Sequence, residues 1–222
     1  MTRLVALEAV DRQGSVCYWD GGVVSWQRCP GPAEVHLVPL LTALLAEHAP
    51  LTALAVAVGP GSFTGLRVAV LAARTLAWLD KLPVHAVDSL AATALQRGDG
   101  LWWVLLPLKR DTTFHGLFRV AGGRVETLLP TTACRDDQPP RLADAAAGAV
   151  AVGPALTAKP GLAEHWRPGV VLGDAAGPDA RGVAMLAAQV PAVPWQSILP
   201  LYHQEPAPVL QRQALRPITG GS

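Results

Sequence analysis

Charged residues are scarce in this chain, and neither sign predominates. They make up 16% of the 222 residues, and 18 basic against 17 acidic side chains leave a formal net charge of +1. A protein that holds nucleic acid on its own usually does so through excess positive charge that releases counterions. The balance therefore excludes a strong nucleic-acid-binding field on the chain as a whole. The hydrophobic fraction of 50% is high for a soluble protein and is compatible with surface that a partner buries.

Cysteine is also scarce. Cys17, Cys29 and Cys134 are an odd number, and none forms a C-x-x-C pair. Their spacing predicts neither a disulfide framework nor a zinc knuckle. Buried thiols in a reducing cytoplasm are the favoured interpretation.

Long hydrophobic runs are missing as well. The first apolar run ends at Glu8, and it is too short to be the hydrophobic core of a secretion signal. The run from Leu66 to Leu79 carries Arg67 and Arg74, so it does not reach the roughly 18 apolar residues of a membrane span. We expect a cytoplasmic protein without a membrane partner.

Familiar catalytic motifs are absent too. The six histidines never pair at i, i+4, and no H-E-x-x-H occurs, so we expect no metal. Gly59, Gly61 and Gly65 give G-x-G-x-x-x-G, which matches neither the dinucleotide fingerprint nor the phosphate loop. Ser62 does not stand in G-x-S-x-G, the pattern of a nucleophile elbow. We therefore predict no catalytic residue, and we favour a turn capped by Ser62 or Thr64 over an anion site.

What the chain does contain is a strand, a glycine loop and a helix between Ala53 and Asp80. The continuous apolar run Leu54–Val58 is typical of a strand buried on both faces and suggests a parallel neighbour. After the loop, apolar residues recur at helical spacing through Leu79. Trp102 and Trp103 lie in a later strand, and we expect them to face opposite sides of it rather than to stack nucleic-acid bases.

The remaining pattern predicts the same order of elements twice: three strands, a helix, a strand and a helix. In the first pass the predicted elements are 3–10, 15–20, 23–28, 35–45, 54–58, 66–79, 83–87 and 89–97. In the second they are 101–106, 113–120, 124–129, 141–147, 150–152, 170–172 and 179–189, with an edge strand over 198–202. The predicted fold class is therefore α/β with duplicated βββαβα units. The halves would span 1–98 and 99–222, with an irregular tail from about 204.

One stretch resembles a known family. The residues Gly59-Pro60-Gly61-Ser62-Phe63-Thr64-Gly65-Leu66-Arg67, followed by an alanine-rich helix, resemble the signature of the TsaB (YeaZ) family, a component of the bacterial machinery that makes N6-threonylcarbamoyladenosine in tRNA. Val87-Asp88-Ser89-Leu90 and Pro200-Leu201-Tyr202 are similar to the family as well. The chain is thus identified as a divergent member. The resemblance implies mixed sheets flanked by helices, of the actin, Hsp70 and sugar-kinase type.

The resemblance also implies partners. TsaB-like proteins pair with the catalytic subunit TsaD through helices of the N-terminal half, and with the ATPase TsaE, while tRNA is bound only through the complex. TsaD transfers a threonylcarbamoyl group to adenosine 37. We expect a non-catalytic subunit that forms a homodimer when alone. The interface residues we predict are Leu66, Ala69, Val70, Ala73, Arg74 and Ala77, with Leu41 and Leu45 of the preceding helix. Glutamate at Val70, Ala73 or Arg74 should then break the complex and leave the fold intact.

The chain departs from the family where ATPases of this fold hold magnesium. Strand one ends at Glu8, where the family usually has aspartate, and the second half carries Leu108 where an aspartate is common. We expect no cofactor, although residual nucleotide binding between the halves stays open. The alternative functions are an ATP-dependent phosphotransferase of the same fold and a glycoprotease-like peptidase.

Overall fold

The computed structural model describes residues 2–11, 13–48, 50–142 and 146–201. Part of the predicted helix 141–147, the Tyr202 of the family-like pattern and the predicted tail from about 204 lie outside these residues. Within the described ranges, no helix is long and apolar enough to cross a membrane.

The first sheet has six strands in the order β11-β5-β4-β1-β2-β3. In chain order they are β1 (Arg3–Glu8), β2 (Ser15–Asp20), β3 (Val23–Arg28), β4 (Ala53–Gly59), β5 (Val84–Asp88) and β11 (Ala192–Val193). The first three form an antiparallel meander, while β4 lies parallel between β1 and β5. Edge strand β11 is antiparallel to β5.

The second sheet repeats this arrangement with five strands in the order β10-β9-β6-β7-β8. They are β6 (Gly100–Lys109), β7 (Thr112–Ala121), β8 (Arg124–Arg135), β9 (Val150–Val152) and β10 (Val171–Leu172). Again the first three are antiparallel and the last two run parallel to the first. In each half the strands lie in the order fifth, fourth, first, second, third. This confirms the predicted α/β fold class with a duplicated unit.

In the described part of the chain, six α-helices lie between the sheets or cover their outer faces. Helices α1 (Ala33–His48) and α2 (Phe63–Asp80) cover the outside of the first sheet, and the short helices α4 (Ala155–Ala158) and α5 (Leu162–Trp166) cover the outside of the second. Between the sheets lie α3 (Ser89–Gln96) and α6 (Ala180–Ala187), which pack on each other and on strands of both halves.

Strand β4 shows why the layers form where they do. All seven of its residues are buried, as the continuous apolar run predicted. Leu54, Val56 and Val58 point toward α1 and α2, whereas Ala53, Ala55 and Ala57 point toward α3 and α6. Protein interiors are close-packed, so the distance between two layers depends on the size of the side chains between them. The small alanine side chains therefore let the inner helices approach the sheet closely.

The C-terminal part of the described chain returns to the first sheet. Strand β11 forms at Ala192–Val193, and the predicted edge strand over 198–202 is wrong for residues 198–201, which have no regular structure. Ile198 is instead buried beneath α2 with the residues of the outer core. The division of the chain at residue 98 stays a prediction.

Candidate functional site

The glycine loop between β4 and α2 packs against the end of β1. The backbone N–H of Ser62 donates to the carbonyl of Val10 over 2.7 Å, and Ser62 Oγ accepts from the backbone N–H of Gly65 at 3.3 Å. Ser62 is thus the N-cap of α2. A Cβ at Gly65 would lie 1.9 Å from the carbonyl oxygen of Ala9, and one at Gly61 would lie 2.3 Å from Cβ of Val10. Glycine is required here because the loop backbone touches β1 directly.

The end of β4, where the loop begins, contacts the last described residue. The backbone N–H of Leu201 donates to the carbonyl of Val58, and Gly59 has a φ of +126° with the Leu201 carbonyl close by. The guanidinium of Arg67 lies over the ring of Phe63, 3.8 Å from its centroid. Of the other predicted loop residues, Pro60 is buried and Thr64 is exposed.

Most of the predicted interface side chains lie beneath α1 and α2. Six of them are at most 3% exposed and belong to the core: Leu41, Leu66, Ala69, Val70, Ala73 and Ala77. Only Arg74 and Leu45 are partly exposed. The apolar spacing correctly located the buried stripe of each helix, but that stripe faces the protein's own sheet. Glutamate at Val70 or Ala73 would therefore damage the core, which corrects the expectation that such variants keep the fold.

The side chains on the other side of the two helices were not singled out by sequence. Helix α2 exposes Leu71 at 65%, Trp78 at 52% and Leu79 at 59%, and α1 exposes Val35 at 60% and Val38 at 50%. We call these five residues the outer helical face. Single exposed apolar residues are normal, but several on two adjacent helices are typical of an interaction surface.

Glu8 is the last residue of β1, and its carboxyl group is fully buried. Its Oε1 accepts a hydrogen bond from the backbone N–H of Val10, and its Oε2 accepts one from the Ser15 hydroxyl at 3.3 Å. Ser15 Oγ in turn accepts from the backbone N–H of Ala180 at 2.9 Å, which ties β1 and β2 to α6. Burial raises the pKa of Glu8 well above its ordinary value, and the neighbouring Asp11 raises it further. The protonated acid is favoured, and such a group is a poor magnesium ligand.

The segment that precedes α6 lies next to Asp11, just beyond the end of β1. A Cβ at Gly177 would lie 3.3 Å from Oδ2 of Asp11 and 3.2 Å from Cγ of Pro154. Arg97 holds this segment through hydrogen bonds to both carboxylate oxygens of Asp174. The chain's own backbone therefore lies between the strand ends of the two halves.

Asp179, at the start of α6, holds the two inner helices together. Its carboxylate accepts from the side chain of Gln96 in α3 at 2.7 Å and from the guanidinium of Arg181 at 2.6 Å, and it caps α6 through the backbone N–H of Arg181. Burial would raise the pKa of Asp179, but the hydrogen bonds from Arg181 and Gln96 outweigh it and lower the pKa. The negative charge of Asp179 is thus balanced by the guanidinium of Arg181, and the carboxylate serves to join the two helices.

The second half offers no carboxylate at the position equivalent to Glu8. Leu108, near the end of β6, packs against the hydrophobic core between the sheets. The nearest acidic side chain in sequence, Asp111, accepts only from the hydroxyl of its neighbour Thr112 among the described hydrogen bonds.

Two polar clusters on the outside of the second sheet were missed by the sequence analysis. Lys159 donates to the carbonyl of Thr112, to the hydroxyl of Thr113 and to Asp136 at 2.7 Å. His115 lies with Nε2 3.3 Å from Sγ of Cys134, and burial lowers the pKa of this imidazole to about 4.

The pairing register of β7 and β8 could have suggested these clusters. Thr113 lies opposite Cys134, and His115 follows two residues later on the same face. Burial also raises the pKa of the Cys134 thiol, so the pair is a neutral hydrogen bond rather than an activated nucleophile. Among the described residues, no group of three or more metal-ligating side chains comes together.

Comparison with known proteins finds sequence similarity over part of the chain. Residues 34–101 match the family model described as TsaD, tRNA N6-adenosine threonylcarbamoyltransferase. The tRNA threonylcarbamoyladenosine biosynthesis protein TsaB of Bacillus subtilis is 36% identical over 103 residues, which is 44% of this chain and 45% of that protein. The Escherichia coli protein of the same name is 30% identical over 106 residues, 45% of this chain and 44% of that protein. The aligned region thus spans less than half the length of these curated relatives.

The similarity of fold extends much further. The structure of YeaZ from Pseudomonas aeruginosa superimposes with a TM-score of 0.77 at 24% identity and covers 91% of this chain and 100% of that one. A second structure from the same organism, an uncharacterized protein with similarity to peptidase YeaZ, gives 0.78 at 24% identity, with 92% and 100% covered. These two likenesses show the fold. The family model covers the glycine loop and α2, and the curated TsaB proteins match less than half of this chain, so the comparisons show a YeaZ-like fold and a partial sequence similarity to TsaB proteins.

Proposed function

We propose that this protein is a non-catalytic subunit that docks a TsaD-type catalytic partner during formation of threonylcarbamoyladenosine at adenosine 37 of tRNA. The curated relatives are named as biosynthesis proteins of this modification, and the family model that matches residues 34–101 is named for the transferase. The docking surface we propose is the outer helical face of α1 and α2.

The observation that carries the proposal is the exposure of that face. Leu71, Trp78 and Leu79 project from one side of α2, and each is about half exposed or more. Aromatic and large apolar side chains bury the most area on association, and arginine is enriched at such surfaces. Arg74 lies beside this patch, with its guanidinium 5.7 Å from the ring centroid of Trp195.

The non-catalytic assignment is supported by the strand ends. Glu8 is a buried acid whose two oxygens are taken up by Val10 and Ser15, and Leu108 stands at the corresponding place in the second half. A magnesium ion needs exposed carboxylate oxygens and water at this position. We therefore propose that the protein does not use Mg-ATP, and that tRNA and a TsaE-type ATPase meet it only within the complex.

Without the partner, we expect two copies of the protein to pack their outer helical faces against each other and form a homodimer. An apolar patch on two helices loses contact with water when a second copy packs against it. The same residues would then serve both assemblies, so the partner and the second copy exclude each other.

Charge reversal on the outer helical face tests the proposal. Leu71→Glu and Trp78→Glu place a charge on exposed positions, so the free energy of unfolding should change by no more than about 0.5 kcal/mol. Val171→Glu is the matched control, because Val171 is 60% exposed but lies on β10 of the other sheet. Co-purification with a tagged TsaD-type subunit is the measurement.

We expect at least a tenfold loss of complex with Leu71→Glu and with Trp78→Glu, and wild-type recovery with Val171→Glu. Recovery of the complex at wild-type yield in all three variants would show that the partner binds elsewhere. Calorimetry with Mg-ATP completes the test, since micromolar binding with turnover would favour the phosphotransferase instead.

A further inference from the structure

A second surface, distinct from the outer helical face proposed above as the docking surface, lies at the C-terminal end of α2. It is an open groove with a volume of about 450 Å³ between the end of α2 and edge strand β11. Its walls are mostly apolar and include Leu82, Pro83, Val193 and Trp195, with Lys81 as the charged member. We propose that this groove binds a segment of the chain's own C-terminal tail, Glu205-Pro206-Ala207-Pro208.

The chemistry of the groove fits a proline-containing extended peptide. Such peptides are already extended before binding and dock between aromatic and proline side chains at little entropic cost. Trp195 and Pro83 supply that kind of wall, and β11 is the outermost strand of its sheet, so one side of it carries no neighbouring strand. The segment Glu205-Pro206-Ala207-Pro208 contains two prolines, the residue type that grooves of this kind accept.

Charge complementarity points to the same segment. Lys81 is exposed, and its ammonium group donates to the carbonyl of Trp78 and lies 5.9 Å from the ring centroid of the same residue. The guanidinium of Arg74 lies 5.7 Å from the ring centroid of Trp195, which also lines the groove. Glu205 is the only acidic residue between 202 and 222 and stands directly before the proline pair. In the proposal its carboxylate pairs with Lys81.

The length of the tail fits as well. The last described residue, Leu201, bonds to Val58 in β4, while the groove lies next to the start of β5, where Val84 pairs with Leu54. Val58 and Leu54 are four residues apart, which is about 13 Å along a strand at 3.3 Å per residue. Glu205 is four residues beyond Leu201, and an extended chain covers the same distance, about 13 Å.

A charge-swap experiment on the full-length protein tests this binding. The readout is the rate at which trypsin cleaves after Arg212, followed by mass spectrometry, because a docked segment shields the nearby bond. Lys81→Glu and Glu205→Lys should each speed cleavage about two- to threefold, the effect of losing one exposed ion pair of about 0.5 kcal/mol. The double variant should return to the wild-type rate. Lysine at 205 precedes Pro206, so it adds no efficient trypsin site.

Lys109→Glu is the matched control, since Lys109 is exposed on the other sheet, and it should leave the rate unchanged. A synthetic peptide of residues 204–210 should speed cleavage by displacing the tail, and the same peptide with lysine at 205 should do so less. Equal rates in all four charge variants, or a double variant faster than both single ones, would overturn the proposal. Protection that rises with protein concentration would overturn it too, because a second copy would then fill the groove.

Discussion

Glu8 is a carboxyl group at the end of β1, and its burial changes how it titrates. It is fully buried and bonded to Val10 and Ser15, and the charged or titratable groups that face it are Asp11, Arg28, Cys29 and Asp179. Since its folded-state pKa is raised, the folded protein binds the proton more tightly than the unfolded chain. Stability gained from this proton is complete below the unfolded pKa and is lost as pH rises through the folded pKa.

Glu8→Gln should remove this pH dependence. Glutamine keeps the acceptor for Val10 and has no proton to lose, so the free energy of unfolding should fall less steeply above about pH 4.5 than in the wild type. At the alkaline end of the range, the variant should be at least as stable as the wild type. Urea unfolding between pH 5 and 8 measures the two slopes. Parallel slopes would show that Glu8 is ionised in the folded protein.

Gly65 tests the contact between the glycine loop and β1. Gly65→Ala would put a methyl group 1.9 Å from the carbonyl oxygen of Ala9, so loop and strand must separate, at a cost of about 1–3 kcal/mol or more. Gly22→Ala is the matched control, because a Cβ there meets nothing within 4 Å. Chemical denaturation of both variants gives the comparison. Equal stabilities would mean that the loop is not packed against β1.

At the scale of elements, α3 and α6 depend on the carboxylate of Asp179. Asp179→Asn should lower the free energy of unfolding near neutral pH by about 1–3 kcal/mol, because it removes charged hydrogen bonds from Gln96 and Arg181. The folded-state pKa of Asp179 is lowered, so its contribution is present above the unfolded pKa and is lost as pH falls through the folded pKa. The difference between variant and wild type should therefore shrink in acid, which is opposite in sign to the effect at Glu8. A difference that stays constant with pH would contradict this.

Strong local patterns predicted the elements well. The apolar run of β4, the hairpin glycines at 21 and 22, and the N-cap of α2 each follow from a few neighbouring residues. Strand β8 continues to Arg135, six residues past its predicted end, because pairing with β7 carries it through Pro130. A proline at a sheet edge costs no ladder bond, and sequence alone does not reveal that β8 is an edge.

At the scale of the whole molecule, the sequence could indicate the repeat but not how the two units meet. Helix α6 and strand β11 come late in the chain and pack on the first sheet, so their positions depend on contacts between residues about 100 to about 180 apart in sequence. The same limit explains why most of the predicted interface residues are buried beneath their own helices. Periodicity identifies the apolar stripe of α2, but the sheet that covers this stripe becomes visible only in the folded structure.

The most direct test of the central claim, that this protein contributes a docking surface and no chemistry, is threonylcarbamoylation of tRNA in a reconstituted system with a TsaD-type partner. Glu8→Gln should retain wild-type activity, whereas Trp78→Glu should lose at least tenfold at limiting protein and recover when its concentration is raised. Loss of activity in Glu8→Gln with partner binding intact would place chemistry at Glu8 and contradict the account.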